Sequence, residues 1–353
     1  MFLKKILNIY KSIFPVKTNS ITFELTQKCN LNCGHCYNVW KSGKNYPAGE
    51  LNFTRTKELI AKIISETGCS SIVFTGGEPL LRPDIFELIS YVRSFNIDLI
   101  LITNGTLLTE QFIKKTIELK KVLFELPLLS DDRNVHNEMT GCSSFDRVIE
   151  AIGNIRNYGG TAVTVFVATS KNINRLKETL ELNAALGIRT VMFNRINPGG
   201  RAIEQYAKLI PDKTRLEEAF SIIEETATKY GIQVNSSIPI QPCIIDMKKY
   251  KSIGDGFCSA GTSNAYFTID PLGNLRICNH TSKILGNCFE STFQELVSGI
   301  EKNDLVCAIP KYCVNCKDAK SCRGGCPAAA DECFGSAYEP DPFLKEHIEK
   351  ARR

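Results

Sequence analysis

Six short apolar runs, each followed by a stretch of helical period, limit the fold more than any other feature of the chain. They are ITFEL at 21–25, SIVFTG at 71–76, DLILITNG at 98–105, KVLFELPLL at 121–129, TAVTVFVATS at 161–170 and RTVMFNRI at 189–196. Helical patterns lie near 53–66, 84–95, 109–119, 144–157, 174–186 and 213–230. Strands alternating with helices pair as a parallel sheet with helical crossovers, and right-handed crossovers curl that sheet into a barrel. The expectation is an α/β fold, a partial (β/α)6 TIM-like barrel. Chemistry in such folds gathers beyond the C-terminal strand ends, where TQKC, GGEP, TNG, SDD and NPGG fall.

After residue 235 the periodicity gives way to cysteine, glycine and turn residues. The reading is an N-terminal amphipathic helix at 1–19, the barrel at 20–238, a small cysteine-rich cluster-binding domain at 239–341 and a C-terminal helix at 342–353. MFLKKILNIYKSIF sets apolar residues against Lys4, Lys5 and Lys11. A terminal docking helix is preferred to membrane contact, because no second anchoring signal accompanies it.

Fifteen cysteines in a chain of 353 residues, most at C-x2-C or C-x3-C spacing and with no signal peptide, point to metal binding in a reducing cytoplasm rather than to disulfides. The surplus of 43 basic over 38 acidic residues is mild and dispersed, so no nucleic-acid partner is expected.

LTQKCNLNCGHCYNVW at 25–40 carries Cys29, Cys33 and Cys36, then Tyr37. Four thiolates would close a metal site, whereas three leave one position open for a small molecule. A partial zinc site is the alternative that this spacing alone does not exclude. One strand later stands GGEP, Gly76, Gly77, Glu78 and Pro79. Its glycines let backbone carbonyls approach a ligand, and a carboxylate favours an ammonium group.

Together these motifs resemble the radical S-adenosylmethionine (SAM) superfamily, whose signature is C-x3-C-x2-C followed by an aromatic residue after the first strand of a partial barrel. The resemblance implies a [4Fe–4S] cluster on Cys29, Cys33 and Cys36, with SAM on the fourth iron. One electron from the reduced cluster then cleaves SAM, and the 5′-deoxyadenosyl radical abstracts hydrogen from substrate. It also implies cofactor contacts from Tyr37, Gly76, Gly77, Glu78 and Pro79, from Asn104 in TNG and from Arg195 in FNRINPGG. Relatives commonly carry an SLDG-like sequence on the fourth strand. Here LPLLSDD puts Pro127 where the serine would stand, so Ser130 or Asp131 is the substitute.

The C-terminal cysteines read Cys258, Gly273, Cys278, then CVNCKDAKSCRGGC with Cys313, Cys316, Cys322 and Cys326, then Cys333. This order resembles the seven-cysteine SPASM domain of peptide-modifying radical enzymes. By that resemblance Cys313, Cys316, Cys322 and Cys333 hold one auxiliary [4Fe–4S] cluster. Cys258, Cys278 and Cys326 hold a second, left open or closed by Cys243, Cys288 or Cys307. A zinc ribbon is the weaker alternative. Cys69 is expected in the core and Cys142 in a loop, while His280 could tune or ligate an auxiliary cluster.

The resemblance implies a maturase that installs a cross-link (thioether, carbon–carbon or carbon–oxygen) or a related modification in a ribosomally made peptide. Anaerobic sulfatase maturation is an alternative, lowered because Asn279 stands where such enzymes carry an acidic base. Tetrapyrrole or other small-molecule chemistry is another, and a protein that only transfers electrons would not need GGEP. Expected partners are the precursor peptide and a reductase, flavodoxin or ferredoxin; many peptide-modifying relatives begin with a leader-binding domain of about eighty residues, and with only about twenty residues before the first strand here, leader recognition is expected from a separate protein, the barrel mouth or the basic N-terminal helix.

Overall fold

The computed structural model describes residues 18–42 and 45–351, so the amphipathic segment read at 1–19 lies almost wholly outside the described residues. The six expected strands form as β1 (Ser20–Glu24), β2 (Ser71–Thr75), β3 (Asp98–Ile102), β4 (Val122–Pro127), β5 (Thr161–Ala168) and β6 (Thr190–Arg195). They pair in parallel with their chain neighbours. Around them run α1 (Phe53–Thr67), α2 (Ile85–Ser94), α3 (Glu110–Glu118), α4 (Arg133–Thr140), α5 (Phe145–Asn157), α6 (Leu176–Ala185), α7 (Ala202–Leu209) and α8 (Lys213–Tyr230). The eight-residue helices α4 and α7 were not expected, being too short to display a helical period.

Local chemistry sets these boundaries. Asn52 Oδ1 accepts from Arg55 N at 3.0 Å to start α1, and Gly68 in the left-handed region (φ 60) ends it. Leu59, Ile60 and Ile63 form its buried face against the sheet. On β4, Val122, Phe124 and Leu126 are buried while Leu123, Glu125 and Pro127 are half-buried, so Glu125 points to the face opposite Phe124.

The sheet does not stop at six strands. β7 (Gln233–Asn235) and β8 (Ile253–Gly254) extend it in parallel beyond β6. β9 (Thr268–Ile269) pairs in parallel with β1, and β10 (Asn274–Arg276) and β11 (Ile284–Asn287) follow antiparallel, giving one eleven-stranded sheet. Residues after 238 therefore cover both edges of the barrel sheet, which otherwise expose unpaired backbone groups. Five short helices complete the region: α9 (Phe293–Leu296), α10 (Asp304–Cys307), α11 (Ala319–Cys322), α12 (Pro327–Phe334) and α13 (Pro342–Ala351). Buried ion pairs tie it to the barrel, Arg276 of β10 to Glu24 of β1 and Arg195 of β6 to Asp341. Among the described residues no helix is long and apolar enough to cross a membrane.

Candidate active site

The loop after β1 brings Cys29, Cys33 and Cys36 together, each half-buried. Burial pushes the Cys33 thiol up to about 12, with the Cys36 and Cys29 charges adding to it and Arg201 opposing. Leu31 N donates to Cys29 Sγ at 3.4 Å, and the Asn104 side chain also hydrogen-bonds this sulfur. Arg201 Nη1 donates to Cys33 O at 3.3 Å and Ala202 N to Cys36 O at 3.1 Å, so the NPGG loop clamps the cysteine loop. Gly200 is needed there: its φ is +49, and a Cβ would lie 2.3 Å from Asn38 O. Converging thiols with N–H donors and two nearby cations, Arg201 and Lys41, suit a cluster held by three thiolates. Among the described residues no three Cys, His, Asp or Glu side chains are gathered to hold a single metal ion. Thiolates that each bind a separate iron of one cluster need not meet at a point.

GGEP lies directly under this loop. Gly77 N donates to Thr26 O at 2.7 Å and Glu78 N to Lys28 O at 2.8 Å; a Cβ on Gly77 would sit 2.0 Å from Lys28 O, which only glycine avoids. Asn38 Nδ2 donates to Gly76 O at 2.9 Å, and Pro79 is buried at the start of a short turn. The Glu78 carboxylate is held by the protein's own donors. It is fully buried and accepts from Leu80 N at 3.0 Å, Thr103 Oγ1 at 2.7 Å and Asn104 N at 2.8 Å. Its bonds hold the β2 and β3 loops together. Asn104 remains partly exposed, its amide donating to Asn30 Oδ1 at 2.9 Å.

Two residues expected at the cofactor are engaged by other parts of the protein. Arg195 does not face the barrel mouth: its side chain is 0% exposed, pairs with Asp341 at 2.7 Å and donates to Pro239 O at 3.1 Å and Ile196 O at 3.3 Å. Ser130 is buried, and its hydroxyl accepts from Asp132 N at 3.0 Å within a turn. Asp131 is no substitute, because both its carboxylate oxygens meet Arg175. A strand-end position fixes which loop a residue enters, but not which side of that loop its side chain takes.

Other residues facing the barrel interior have weak signals in the sequence. Tyr37 packs on His280 with ring centroids 4.4 Å apart and planes tilted by 31°, and accepts from Asn279 Nδ2 at 3.2 Å. Burial raises the Tyr37 phenol, and the charges of Glu24 and Glu125 add to it. Burial alone pushes the Glu125 carboxyl up to about 7. A lone glutamate in the alternating strand VLFELP is the one sequence signal that points to it.

Beyond His280 lies a second set of thiols. Cys278 is raised by burial, then by the Cys326 and Cys258 charges, and Cys326 is pushed up to about 12 by burial with Cys258 adding. Asn197 Nδ2 lies 3.3 Å from Cys326 Sγ and 3.4 Å from His280 Nδ1, while its buried Oδ1 has no partner among the described residues. Burial drops His280 to about 4, leaving it neutral at physiological pH. Cys288 is buried beside Lys62 of α1, and Cys307 is exposed with its thiol 3.7 Å from Lys302 O, so neither joins this set. Cys313, Cys316 and Cys322 form a third group, whose neighbour is Cys243. Cys333 acts on Tyr206 of α7. Cys69 is in the core and Cys142 is exposed.

Comparison with known proteins agrees with this arrangement. The Radical SAM superfamily profile matches residues 23–183. The chain is 26% identical to the AdoMet-dependent heme synthase of Methanosarcina barkeri, over 92% of this chain and 95% of that protein. It is 26% identical to the mycofactocin maturase MftC of Mycobacterium tuberculosis, over 94% and 87%, and 26% to the PqqA peptide cyclase of Gluconobacter oxydans, over 93% and 90%. Among solved structures, Streptococcus suis SuiB bound to S-adenosylmethionine superposes with a TM-score of 0.76 at 17% identity, covering 97% of this chain and 80% of that one. With the three-thiol loop, the GGEP turn and the parallel barrel all inside or beside the matched segment, residues 23–183 form a Radical SAM domain, and the protein is an enzyme that uses a [4Fe–4S] cluster and S-adenosylmethionine.

Proposed function

We propose that this enzyme is a maturase of a ribosomally made peptide, abstracting hydrogen from a residue of the precursor to install a cross-link or related modification. The observation that carries the reading is the extent of similarity to MftC and the PqqA peptide cyclase, which spans the cysteine-rich region as well as the barrel. Cys258, Cys278 and Cys326 are the ligands of a proximal auxiliary cluster, and Cys313, Cys316 and Cys322 belong to a distal one. When bound, the first cluster and SAM supply the 5′-deoxyadenosyl radical that takes hydrogen from the substrate.

The chain's own residues position and shield that chemistry. Tyr37, Asn279 and His280 wall the space between the first loop and the proximal thiols. Glu125, with a carboxyl near neutrality, is the base for a proton that the substrate loses on oxidation. Asn104 steadies Cys29 and, through its own N–H, the GGEP turn. The enzyme acts in the cytoplasm, takes electrons from a flavodoxin or ferredoxin system and works with a separate leader-recognition protein.

The likeness to the Methanosarcina heme synthase favours a second reading, modification of a tetrapyrrole precursor. Coexpression with short open reading frames beside the gene, followed by mass spectrometry of each peptide, tests the first. A peptide mass change dependent on Cys29, Cys33 and Cys36 is expected. Unchanged peptides, together with 5′-deoxyadenosine formed only when a tetrapyrrole precursor is added, would replace the first reading by the second.

A further inference from the structure

We propose that Cys243 is the fourth protein ligand of the distal cluster, completing Cys313, Cys316 and Cys322, and that Cys333 lies outside it; this rests on the auxiliary-cluster reading above. The chain leaving the barrel is fixed where Arg195 Nε donates to Pro239 O at 3.1 Å. Two residues later the fully buried Gln241 donates through Nε2 to Gly324 O at 3.3 Å. Gln241 O then accepts from Ile244 N at 2.9 Å and Ile245 N at 3.1 Å, closing a turn that contains Cys243.

Gly324, to which this turn is tied, belongs to the thiol group itself. A Cβ on Gly324 would stand 3.5 Å from Cys313 Sγ, and Gly325 N donates to Cys322 O at 2.9 Å. Cys316 N donates to Cys313 O at 2.9 Å, keeping those two cysteines on one tight turn. Cys313 and Cys322 are buried, whereas Cys243 and Cys316 are exposed, so the group reaches from the interior to the surface. The electrostatics agree: Cys243 feels Cys316, Cys313 feels Cys243 and Cys316, and Cys322 feels Cys243 and Cys313.

With Cys243 as the fourth thiolate, no iron of the distal cluster is left for Cys333. Cys326, of the proximal set, caps the N-terminus of α12, and Cys333 rides the same helix about 10 Å farther along its axis. There it acts on Tyr206, which is enclosed with Arg195 and Asp341. Four thiolates saturate every iron, so the distal cluster has no position for substrate and serves electron transfer alone.

Anaerobic reconstitution of the full-length protein and of Cys243→Ala and Cys333→Ala, with iron and sulfide analysis and Mössbauer spectra, tests the assignment. The wild type should hold about twelve irons with a distal cluster in which every iron carries a thiolate, and Cys333→Ala the same, while in Cys243→Ala the distal cluster should lose iron or change its Mössbauer spectrum at one iron. Iodoacetamide should modify Cys243 in the iron-free wild type but not in the reconstituted protein, a readout that needs no variant to fold. Loss of a cluster in Cys333→Ala but not in Cys243→Ala, or equal alkylation of Cys243 in both forms, would overturn the assignment alone. A wild type holding only about four irons would overturn the auxiliary-cluster reading, and the assignment with it.

Discussion

Arg195 at the end of β6 and Asp341 before α13 meet at 2.7 Å with neither side chain exposed to solvent. Asp341 also accepts from Cys326 N at 2.9 Å and Phe343 N at 2.7 Å, and Arg195 lies 4.7 Å from the Phe343 ring. One pair thus ties the barrel to a cysteine of the proximal set. Removing one partner of such a pair leaves a buried charge uncompensated and costs about 3–5 kcal/mol.

Arg195→Ala should therefore lower the unfolding midpoint strongly, with SAM affinity unchanged in the fraction that remains folded. Chemical denaturation and SAM binding measured on the same preparation check this. A stable variant that has lost SAM binding would return Arg195 to the cofactor site.

Glu78→Gln replaces one acceptor oxygen by a donor facing either Thr103 Oγ1 or Asn104 N. An unpaired buried donor costs about 1–3 kcal/mol, enough to displace Asn104 from Cys29. SAM should bind roughly tenfold more weakly, which corresponds to about 1.4 kcal/mol, while iron content stays at the wild-type level. Titration of the SAM-dependent change in the cluster's EPR spectrum reads this out.

Glu125 gives a pH dependence of known sign. Its ordinary value is 4.5 and burial pushes it up to about 7, so between these values the unfolded chain loses its proton first. The group's contribution to stability is present below about 4.5 and is lost as pH rises through about 7. Glu125→Gln should match the wild type at low pH and exceed its stability above pH 7. Parallel stability curves for the two proteins across that window would contradict the burial argument.

At the proximal set, alanine in place of Cys288 or Cys307 should leave the spectrum intact, because both thiols lie away from Cys258, Cys278 and Cys326. An iron with no protein thiolate can take one from a peptide. Adding a cysteine-containing precursor should shift that spectrum, and its serine variant should not. An unchanged spectrum with the cysteine peptide would assign this cluster to electron transfer.

The six parallel strands and six of the helices could be read from periodicity, because each buries a regular stripe: Leu59, Ile60 and Ile63 on α1, Val122, Phe124 and Leu126 on β4. The edge strands β8 to β11 could not, since two to four residues carry no period and their pairing depends on which barrel edge is within reach.

The sequence by itself determined the chemistry class. The spacing of Cys29, Cys33 and Cys36, and the glycines of GGEP, are local requirements met within a few residues: a loop that aims three thiols inward and a turn in which Gly77 lies against Lys28 O. Only the tertiary structure decided what long-range packing controls. It buried Arg195 against a carboxylate from position 341, enclosed Glu78 among loop donors and brought Cys243 to thiols from positions 313 to 322. Hydrogen bonds and charges select partners by distance in space, and separation along the chain carries no record of that distance.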